Sequence, residues 1–192
     1  MKLAIIIPAF NEESTIGSVL DAIPKKIKGI SKILSVVIND GSIDKTSEVA
    51  YTKSEYLIDL PINMGVGSAT IAGLQFAKDN KFDLIVTMDS DGQHNPQDIK
   101  KLIKPIMDKK ADIVIGSRMF DSKRMPPIKR FGNWLMNILT FIIFHKWVSD
   151  SQSGMKAITS NALGKMELNS IGYEICSEII GEAKVNHLRI IE

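Results

Sequence analysis

With 192 residues, the chain is long enough for one domain with a sizeable hydrophobic core, and its 44% apolar and 24% charged residues are typical of a soluble globular protein. A formal net charge of only +2 argues against a nucleic acid as the partner. The single cysteine, Cys176, excludes an internal disulfide and a multi-cysteine zinc site, and no run reaches the roughly 18 apolar residues of a membrane span, so we expect a cytoplasmic chain.

Runs of β-branched and apolar residues alternate with helical patterns along the first 118 residues. Asn11 is expected to cap the first helix, and Asn95 with Pro96 to start a later one whose last turn Pro105 kinks or frays. A helix between them, over 67–80, carries small residues that suit close packing on a sheet. The predicted strands are 2–10, 32–40, 55–61, 82–89 and 111–118, of which 55–61 is the weakest.

These strands are apolar on both faces and are separated by helices. That arrangement indicates a mostly parallel sheet covered on both sides. Ligands bind to such sheets beyond the carboxyl ends of the strands. We therefore look for chemistry in the residues that directly follow each strand.

Two aspartates follow the fourth predicted strand, in the segment LIVTMDSDGQHNP at 84–96. Side chains at i and i+2 of an extended segment point the same way, so Asp89 and Asp91 can converge. Two carboxylates about 5 Å apart repel by roughly 3 kcal/mol at an effective dielectric constant near 20. A Mg²⁺ or Mn²⁺ ion removes that penalty, and Gln93 could add a neutral oxygen or orient a water. The alternative is an acidic turn that faces solvent.

Polar and glycine-rich segments follow other strands. In NDGSIDKT, Asp40 could accept hydrogen bonds from a nucleotide base or a ribose hydroxyl, while Ser42 or Asp44 could simply cap the next helix. The segment NMGVGSATIAG at 63–73 opens a helix where backbone N–H groups can approach a ligand. It has neither the lysine of a phosphate-binding P-loop nor the glycine spacing of a dinucleotide fingerprint.

Taken together, these segments resemble glycosyltransferase family 2. The carrying motifs, in the order of the family, are IPAFNEE, VINDGSIDKT, NMGVGSATIAGL, MDSDGQHNP, ADIVIGSR and SDSQSGMKAI. The subgroup looks like the dolichyl-phosphate mannose and polyprenyl-phosphate glucose synthases. The resemblance implies an α/β GT-A fold, a Rossmann-like three-layer sandwich with a mostly parallel central sheet. It also implies one catalytic domain over 1–192, with a nucleotide-sugar-binding half at 1–118 and an acceptor-binding half at 119–192. Because family members usually continue with a further strand and a basic loop, a truncated or minimal domain is one expectation.

The resemblance also assigns roles to individual residues. It implies that Asp89, Asp91 and Gln93 hold a divalent metal on the donor diphosphate. Asp150 is the expected base or acceptor-orienting group, and Arg118 is expected to reach a phosphate. The expected substrate-binding residues are Pro8, Ala9, Phe10, Glu12, Asp40, Gly65, Gly67, Asp89, Arg130 and Gln152.

Two departures from the family pattern stand out. The family usually shows two aspartates where this chain has Asn39 and Asp40, which puts the preference for a nucleotide base in question. Phe10 stands where many members have tyrosine, and it can still stack on a base.

The implied reaction is an inverting transfer of a hexose from a GDP-mannose or UDP-glucose type of donor to a polyprenyl or dolichyl phosphate. A phosphate monoester is already largely a dianion at pH 7, so such an acceptor needs positioning more than a general base. The alternatives are an acceptor with a saccharide hydroxyl, a sugar-phosphate nucleotidyltransferase and a non-catalytic nucleotide-sugar-binding module.

The segment 118–148 bears on the acceptor, because it places five basic residues before an aromatic, apolar helical pattern. That combination suits a membrane surface with anionic lipid headgroups. A peripheral location on the cytoplasmic face of the membrane is therefore expected. The rival interpretation is a core helix or the interface of a homo-oligomer.

Overall fold

Parallel strands with helices on both sides build the central sheet, as the sequence predicts. The computed structural model describes residues 1–117, 150 and 152–192. In that part of the chain seven strands form one sheet in the order β3-β2-β1-β4-β6-β5-β7. Every pairing is parallel except those of β6 with β4 and β5. The strands are β1 Lys2–Ala9, β2 Lys32–Asn39, β3 Tyr56–Asp59, β4 Leu84–Thr87, β5 Ile113–Ile115, β6 Lys156–Thr159 and β7 Ile190–Ile191.

Helices cover both faces of the sheet. The described helices are α1 Ile16–Asp21, α2 Thr46–Lys53, α3 Val66–Asp79, α4 Ile99–Met107 after a 3₁₀ turn at Pro96–Asp98, α5 Ser160–Leu163 and α6 Ile175–Val185. One apolar core joins α1, α2 and α4 to one face of the sheet, and a second joins α3, α5 and α6 to the other. The predicted three-layer α/β sandwich is therefore confirmed.

Helix α3 packs directly on the sheet. A Cβ atom added to Gly73 would stand 2.2 Å from Ile6 Cγ2 and 2.7 Å from Ile38 Cδ1, so only a glycine permits this approach. Ala69 and Ala77 are fully buried on the same helix. The small residues of this segment thus serve the close packing that the sequence predicts.

The predictions made for the helix ends have different outcomes. Asn95 begins the helical segment before α4, since its side chain accepts a hydrogen bond from Gln97 N at 3.0 Å. Asn11 was wrong as the cap of α1, because α1 begins only at Ile16 and Asn11 has a φ of 55° in the preceding loop. Pro105 lies inside α4, which continues to Met107.

Among the described residues, no helix combines the length and apolar character needed to cross a membrane. The segment 118–148, with its predicted membrane-surface helix, lies outside the described residues.

Candidate active site at the carboxyl edge of the sheet

A cleft of about 740 Å³ opens at the carboxyl ends of β1, β2 and β4. The chain runs from β1 outward to β2 and β3 on one side, and then crosses through α3 to β4 on the other side of β1. A reversal of strand order of this kind is the place where parallel α/β sheets bind ligands. Most of the predicted site residues line it. They are Pro8, Ala9, Phe10, Glu12, Asp40, Gly65, Asp89, Asp91, Gln93 and Gln152.

The loops that follow β1 and β2 hold each other in place at one end of the cleft. Asn11 N donates to Ser42 Oγ at 2.9 Å, and Ile43 N donates back to Asn11 Oδ1 at 3.0 Å. Further bonds between the loops join Glu12 N to Thr46 Oγ1, Glu13 N to Asp44 Oδ2, and Lys45 N to Glu13 Oε2. Much of the polarity in the FNEE and GSIDKT segments therefore fixes the loops themselves.

Asp44 accepts a hydrogen bond from Thr46 N at 2.9 Å at the start of α2, although Lys45 holds the N-cap position that the sequence suggests for Ser42 or Asp44. Burial alone would raise the pKa of Asp44, but hydrogen bonds from Thr46 Oγ1, Thr46 N and Glu13 N outweigh it and lower the pKa below its ordinary value. The carboxylate thus stays charged where it joins the loop to the helix.

Asp40 holds the glycine-rich segment that follows β3. Its carboxylate accepts hydrogen bonds from Met64 N at 2.7 Å and Gly65 N at 2.9 Å, and the residue is only 3% exposed. Gly65 has a φ of 91°, a conformation that favours glycine. Asp40 therefore shapes the wall of the cleft, whatever it does for a ligand.

Two N–H groups at the start of α3 bind the protein's own backbone. Gly67 N and Ser68 N both donate to Ile171 O, at 2.7 and 3.1 Å. A Cβ atom at Gly67 would stand 2.4 Å from Ser170 O, and Gly67 is not among the residues that line the cleft. Its glycine is needed for this contact with the chain near residue 171. A protein carbonyl thus occupies two N–H groups of the segment in which the sequence suggests a ligand, while Gly65 and Val66 of the same segment line the cleft.

Asn39 has a partner that an aspartate could not have. Its Nδ2 donates to Asp59 Oδ1 at 2.7 Å, and Ser47 Oγ donates to the same oxygen at 2.9 Å. Asn39 is 4% exposed and does not line the cleft. Its departure from the family pattern thus belongs to a pairing between β2 and β3 and lies outside the cleft.

The paired aspartates stand beyond the end of β4, as predicted. Asp89 keeps about a third of its side chain exposed, and His94 Nε2 lies 3.9 Å from Asp89 Oδ2. Asp91 accepts hydrogen bonds from Gln93 N at 2.9 Å and from Gln93 Nε2 at 2.6 Å. Gly154 packs against Asp89 so closely that a Cβ atom there would stand 2.0 Å from Asp89 Oδ1.

The donor set fits a cation that is shared with a substrate. Among the described residues, no group of three or more His, Cys, Asp or Glu side chains could hold a metal ion. Mg²⁺ is usually bound through one or two carboxylates together with substrate phosphates, and Asp89 and Asp91 supply such a pair on the cleft wall. The bond from Gln93 Nε2 to Asp91 Oδ2 orients the Gln93 side chain, whose Oε1 is the atom able to bind a cation or its water.

The residues predicted for the acceptor side are less closely grouped. Gln152 lines the cleft and donates from Nε2 to Ser177 Oγ at 3.0 Å. Asp150 has no exposed surface, its N–H donates to Glu192 Oε1 at 2.9 Å, and it is not among the residues that line the cleft. Arg118 and Arg130 lie outside the described residues.

Sequence reasoning missed the residues of β6 and α6 that line the cleft. Lys156, on β6, lines the cleft and is only 1% exposed. The sequence signal is a lysine in the otherwise apolar run MKAI, at the start of β6. The apolar face of α6 also lines the cleft, through Ile175, Cys176 and Ile179.

A row of glutamates on α6 and at its start fixes the segment that precedes the helix. Glu178 accepts from Asn169 N at 2.9 Å and Ser170 N at 3.0 Å, and Glu182 accepts from Glu167 N at 2.9 Å. Glu174 accepts from Gly172 N, a bond that is the main cause lowering the pKa of Glu174. These glutamates hold the loop that caps α3.

Comparisons with known proteins agree with this geometry. The sequence model described as Glycosyl transferase family 2 matches residues 4–170. A Methanocaldococcus jannaschii protein described as uncharacterized is 40% identical over the whole chain, which spans 79% of that protein. The UDP-N-acetylglucosamine–dolichyl-phosphate N-acetylglucosaminyltransferase of Methanococcus voltae is 35% identical over 98% of the chain and 82% of the relative.

A solved structure shares the architecture. Glucosyl-3-phosphoglycerate synthase from Mycobacterium tuberculosis, in complex with Mn²⁺, UDP-glucose and phosphoglyceric acid, superposes with a TM-score of 0.72. The superposition covers 99% of this chain and 68% of that chain, at 21% identity. At that identity the likeness shows the fold alone, and the predicted GT-A fold is confirmed.

Proposed function

This chain belongs to glycosyltransferase family 2, and on that premise we propose that it transfers a hexosyl group from a nucleoside diphosphate sugar to the phosphate of a polyprenyl or dolichyl lipid. The observation that carries the proposal is the cleft at the reversal of strand order, which Asp89 and Asp91 line together with Phe10 and Glu12. The Methanococcus voltae relative, whose description names a UDP-sugar donor and a dolichyl-phosphate acceptor, supports both substrate classes.

The donor enters at the end of the cleft formed by the loops after β1 and β2. Phe10 is 45% exposed at this end, so its ring can stack on a nucleotide base. The interlocked loops and Asp40 keep the wall rigid, which spares the protein an ordering cost when the donor binds. Asp89 and Asp91 would hold a Mg²⁺ or Mn²⁺ ion, which when bound supplies charge to neutralise the leaving diphosphate.

The acceptor approaches from the side of β6 and α6. A phosphate monoester carries most of its second negative charge at pH 7, so it can attack the anomeric carbon without a general base. The complete burial of Asp150 supports an acceptor of this kind, because a base that removes a proton must reach the reacting atom. Asp150 would then act as a positioning residue on the acceptor side, through contacts such as its N–H bond to Glu192 Oε1, and a single displacement inverts the anomeric carbon.

A location at the membrane surface follows from the acceptor. A lipid phosphate stays in the bilayer, so the cleft must approach the headgroups. The basic and aromatic composition of 118–148 supports a peripheral attachment on the cytoplasmic face.

The test is a transfer assay with defined substrates. The purified protein is incubated with Mn²⁺ or Mg²⁺, farnesyl phosphate as a short polyprenyl phosphate, and in turn UDP-N-acetylglucosamine, UDP-glucose and GDP-mannose. Mass spectrometry should find a glycosyl farnesyl phosphate with one of these donors. Asp91→Asn should remove the product, whereas Asp108→Asn, on the surface at the end of α4, should leave it.

Other products would overturn the proposal. Transfer to a saccharide hydroxyl or to phosphoglycerate but never to farnesyl phosphate would refute the lipid acceptor. A nucleotide sugar formed from a nucleoside triphosphate and a sugar phosphate would indicate a nucleotidyltransferase. Donor binding with no transfer to any acceptor would indicate a binding module.

A further inference from the structure

The floor of the cleft contains a buried ammonium group. Lys156 is 1% exposed, yet it is one of the residues that line the cleft. Lys156 lies on β6 directly opposite Thr87 of β4, and Thr87 is two residues before Asp89 in the chain. The charge therefore stands on the cleft floor beside the strand end that presents the aspartates.

The hydrogen bonding of this ammonium is incomplete. Lys156 Nζ donates to Ser153 O, and among the described residues it has no other hydrogen-bond acceptor and no carboxylate within salt-bridge distance. A lysine ammonium has three N–H donors, so two are left for another partner. Buried lysines are almost always paired, because an uncompensated charge is costly to remove from water.

Other carboxylates of the cleft are engaged elsewhere. Asp40 binds the backbone of Met64 and Gly65, and Asp91 binds Gln93. A further partner of Lys156 therefore comes either from a ligand or from residues outside the described part of the chain, and a ligand at the cleft floor has to be a small anion. A phosphate group has the required charge and several acceptor oxygens.

We propose that Lys156 is a phosphate-binding residue of this cleft. The phosphate is either that of the donor diphosphate or that of the acceptor monoester, and both sources rest on the proposed function. In the sheet, β4 lies between β1, which Phe10 follows, and β6, which carries Lys156. A donor phosphate would reach Lys156 from the β1 side of β4, and an acceptor phosphate from the β6 side.

Calorimetry distinguishes the two sources. UDP and farnesyl phosphate are titrated into the wild type and Lys156→Met, with uridine and farnesol as ligands that lack phosphate. The variant should lose about 10- to 100-fold in affinity for one of the two phosphate ligands, since a charge-assisted hydrogen bond is removed. Loss for UDP assigns the donor, and loss for farnesyl phosphate assigns the acceptor. Binding of uridine and farnesol should not change.

The matched control is Lys165→Met, which removes an exposed lysine after α5 and should change neither affinity. In the ligand-free protein, Lys156→Met should unfold at the same temperature as the wild type or higher, because an incompletely paired buried charge is removed. A lower unfolding temperature with unchanged affinity for both phosphate ligands would show a structural lysine and overturn the proposal.

A second variant covers the case in which methionine prevents folding. Lys156→Gln retains a donor for Ser153 O and allows the same titrations. The ¹⁵N signal of Lys156 Nζ is identified as the lysine side-chain signal that is present in the wild type and missing in Lys156→Gln. In the wild type this signal should shift when UDP or farnesyl phosphate is added. A signal that does not move refutes the proposal. Because these readouts measure binding, a wild type that binds phosphate but transfers no sugar refutes the proposed function alone.

Discussion

Replacing Gly154 by alanine should disable the site through Asp89. The added Cβ atom would stand 2.0 Å from Asp89 Oδ1 and 2.3 Å from both Oδ2 and Cγ. Carbon and oxygen atoms need roughly 3.3 Å even in a close C–H···O contact, so the carboxylate must withdraw by about 1 Å. Because the added Cβ atom is too close to Cγ as well as to both oxygens, rotating the Asp89 carboxylate about its Cβ–Cγ bond does not remove the clash.

A displacement of about 1 Å in a catalytic group can cost roughly 100-fold in rate. We therefore expect kcat/KM of Gly154→Ala to fall by about two orders of magnitude. The free energy of unfolding should fall by only about 1 kcal/mol, at the low end for overpacking, because Asp89 can move toward the open cleft. The loss of activity should thus far exceed the loss of stability.

The assay compares Mn²⁺ and UDP binding by calorimetry with sugar transfer and chemical unfolding. Gly164→Ala is the control, since a Cβ atom there has its nearest neighbour at an ordinary 3.5 Å and φ is −65°. It should match the wild type in every measurement. If Gly154→Ala kept wild-type metal affinity and transfer rate, the argument that this glycine makes room for Asp89 would be refuted.

Three further changes test other contacts. Asn39→Asp should lower the free energy of unfolding by roughly 2 kcal/mol at pH 7, measured by denaturant titration, because it faces Asp59; Asp59→Asn in the same chain should restore most of the loss. Glu178→Gln should raise the donor KM by roughly tenfold in steady-state kinetics, because the loop beside α3 loosens; an unchanged KM would contradict this role. The hydrogen bond from Arg189 lowers the pKa of Asp112, so this pair stabilises the fold at neutral pH and stops doing so as the pH falls through the lowered pKa. Asp112→Asn should cost about 1 kcal/mol at pH 7, and its difference from the wild type should vanish in acid unfolding.

The sequence predicts the parts of this fold that depend on local patterns. The buried strands β1, β2 and β4 are continuous apolar runs, and the Asn95–Pro96 pair starts its helix through a contact two residues away. The edge of the sheet that holds the cleft follows from the parallel order of these strands. The position of Asp89 and Asp91 at this edge therefore follows from the amino-acid pattern alone.

Contacts between distant residues were beyond the reach of such patterns. Asn11 looks like a helix cap, but its side chain binds Ile43, and this tertiary contact delays α1 to Ile16. The glycine-rich start of α3 looks like a ligand site, but the carbonyl of Ile171, about a hundred residues later, accepts from the N–H groups of Gly67 and Ser68. Lys156 was missed because a single lysine in an apolar strand carries no periodic signal.

The place of β6 in the sheet has a consequence for synthesis on the ribosome. Residues 156–159 lie between β4 and β5, although both of those strands are made at least forty residues earlier. Until β6 emerges, the growing chain has an unpaired edge on β4, and the three residues of β5 have no neighbour in the described sheet. Unpaired strand edges of this kind promote aggregation, so a nascent chain arrested near residue 118 should bind chaperones strongly. The cleft forms only after β6 and α6 have been translated.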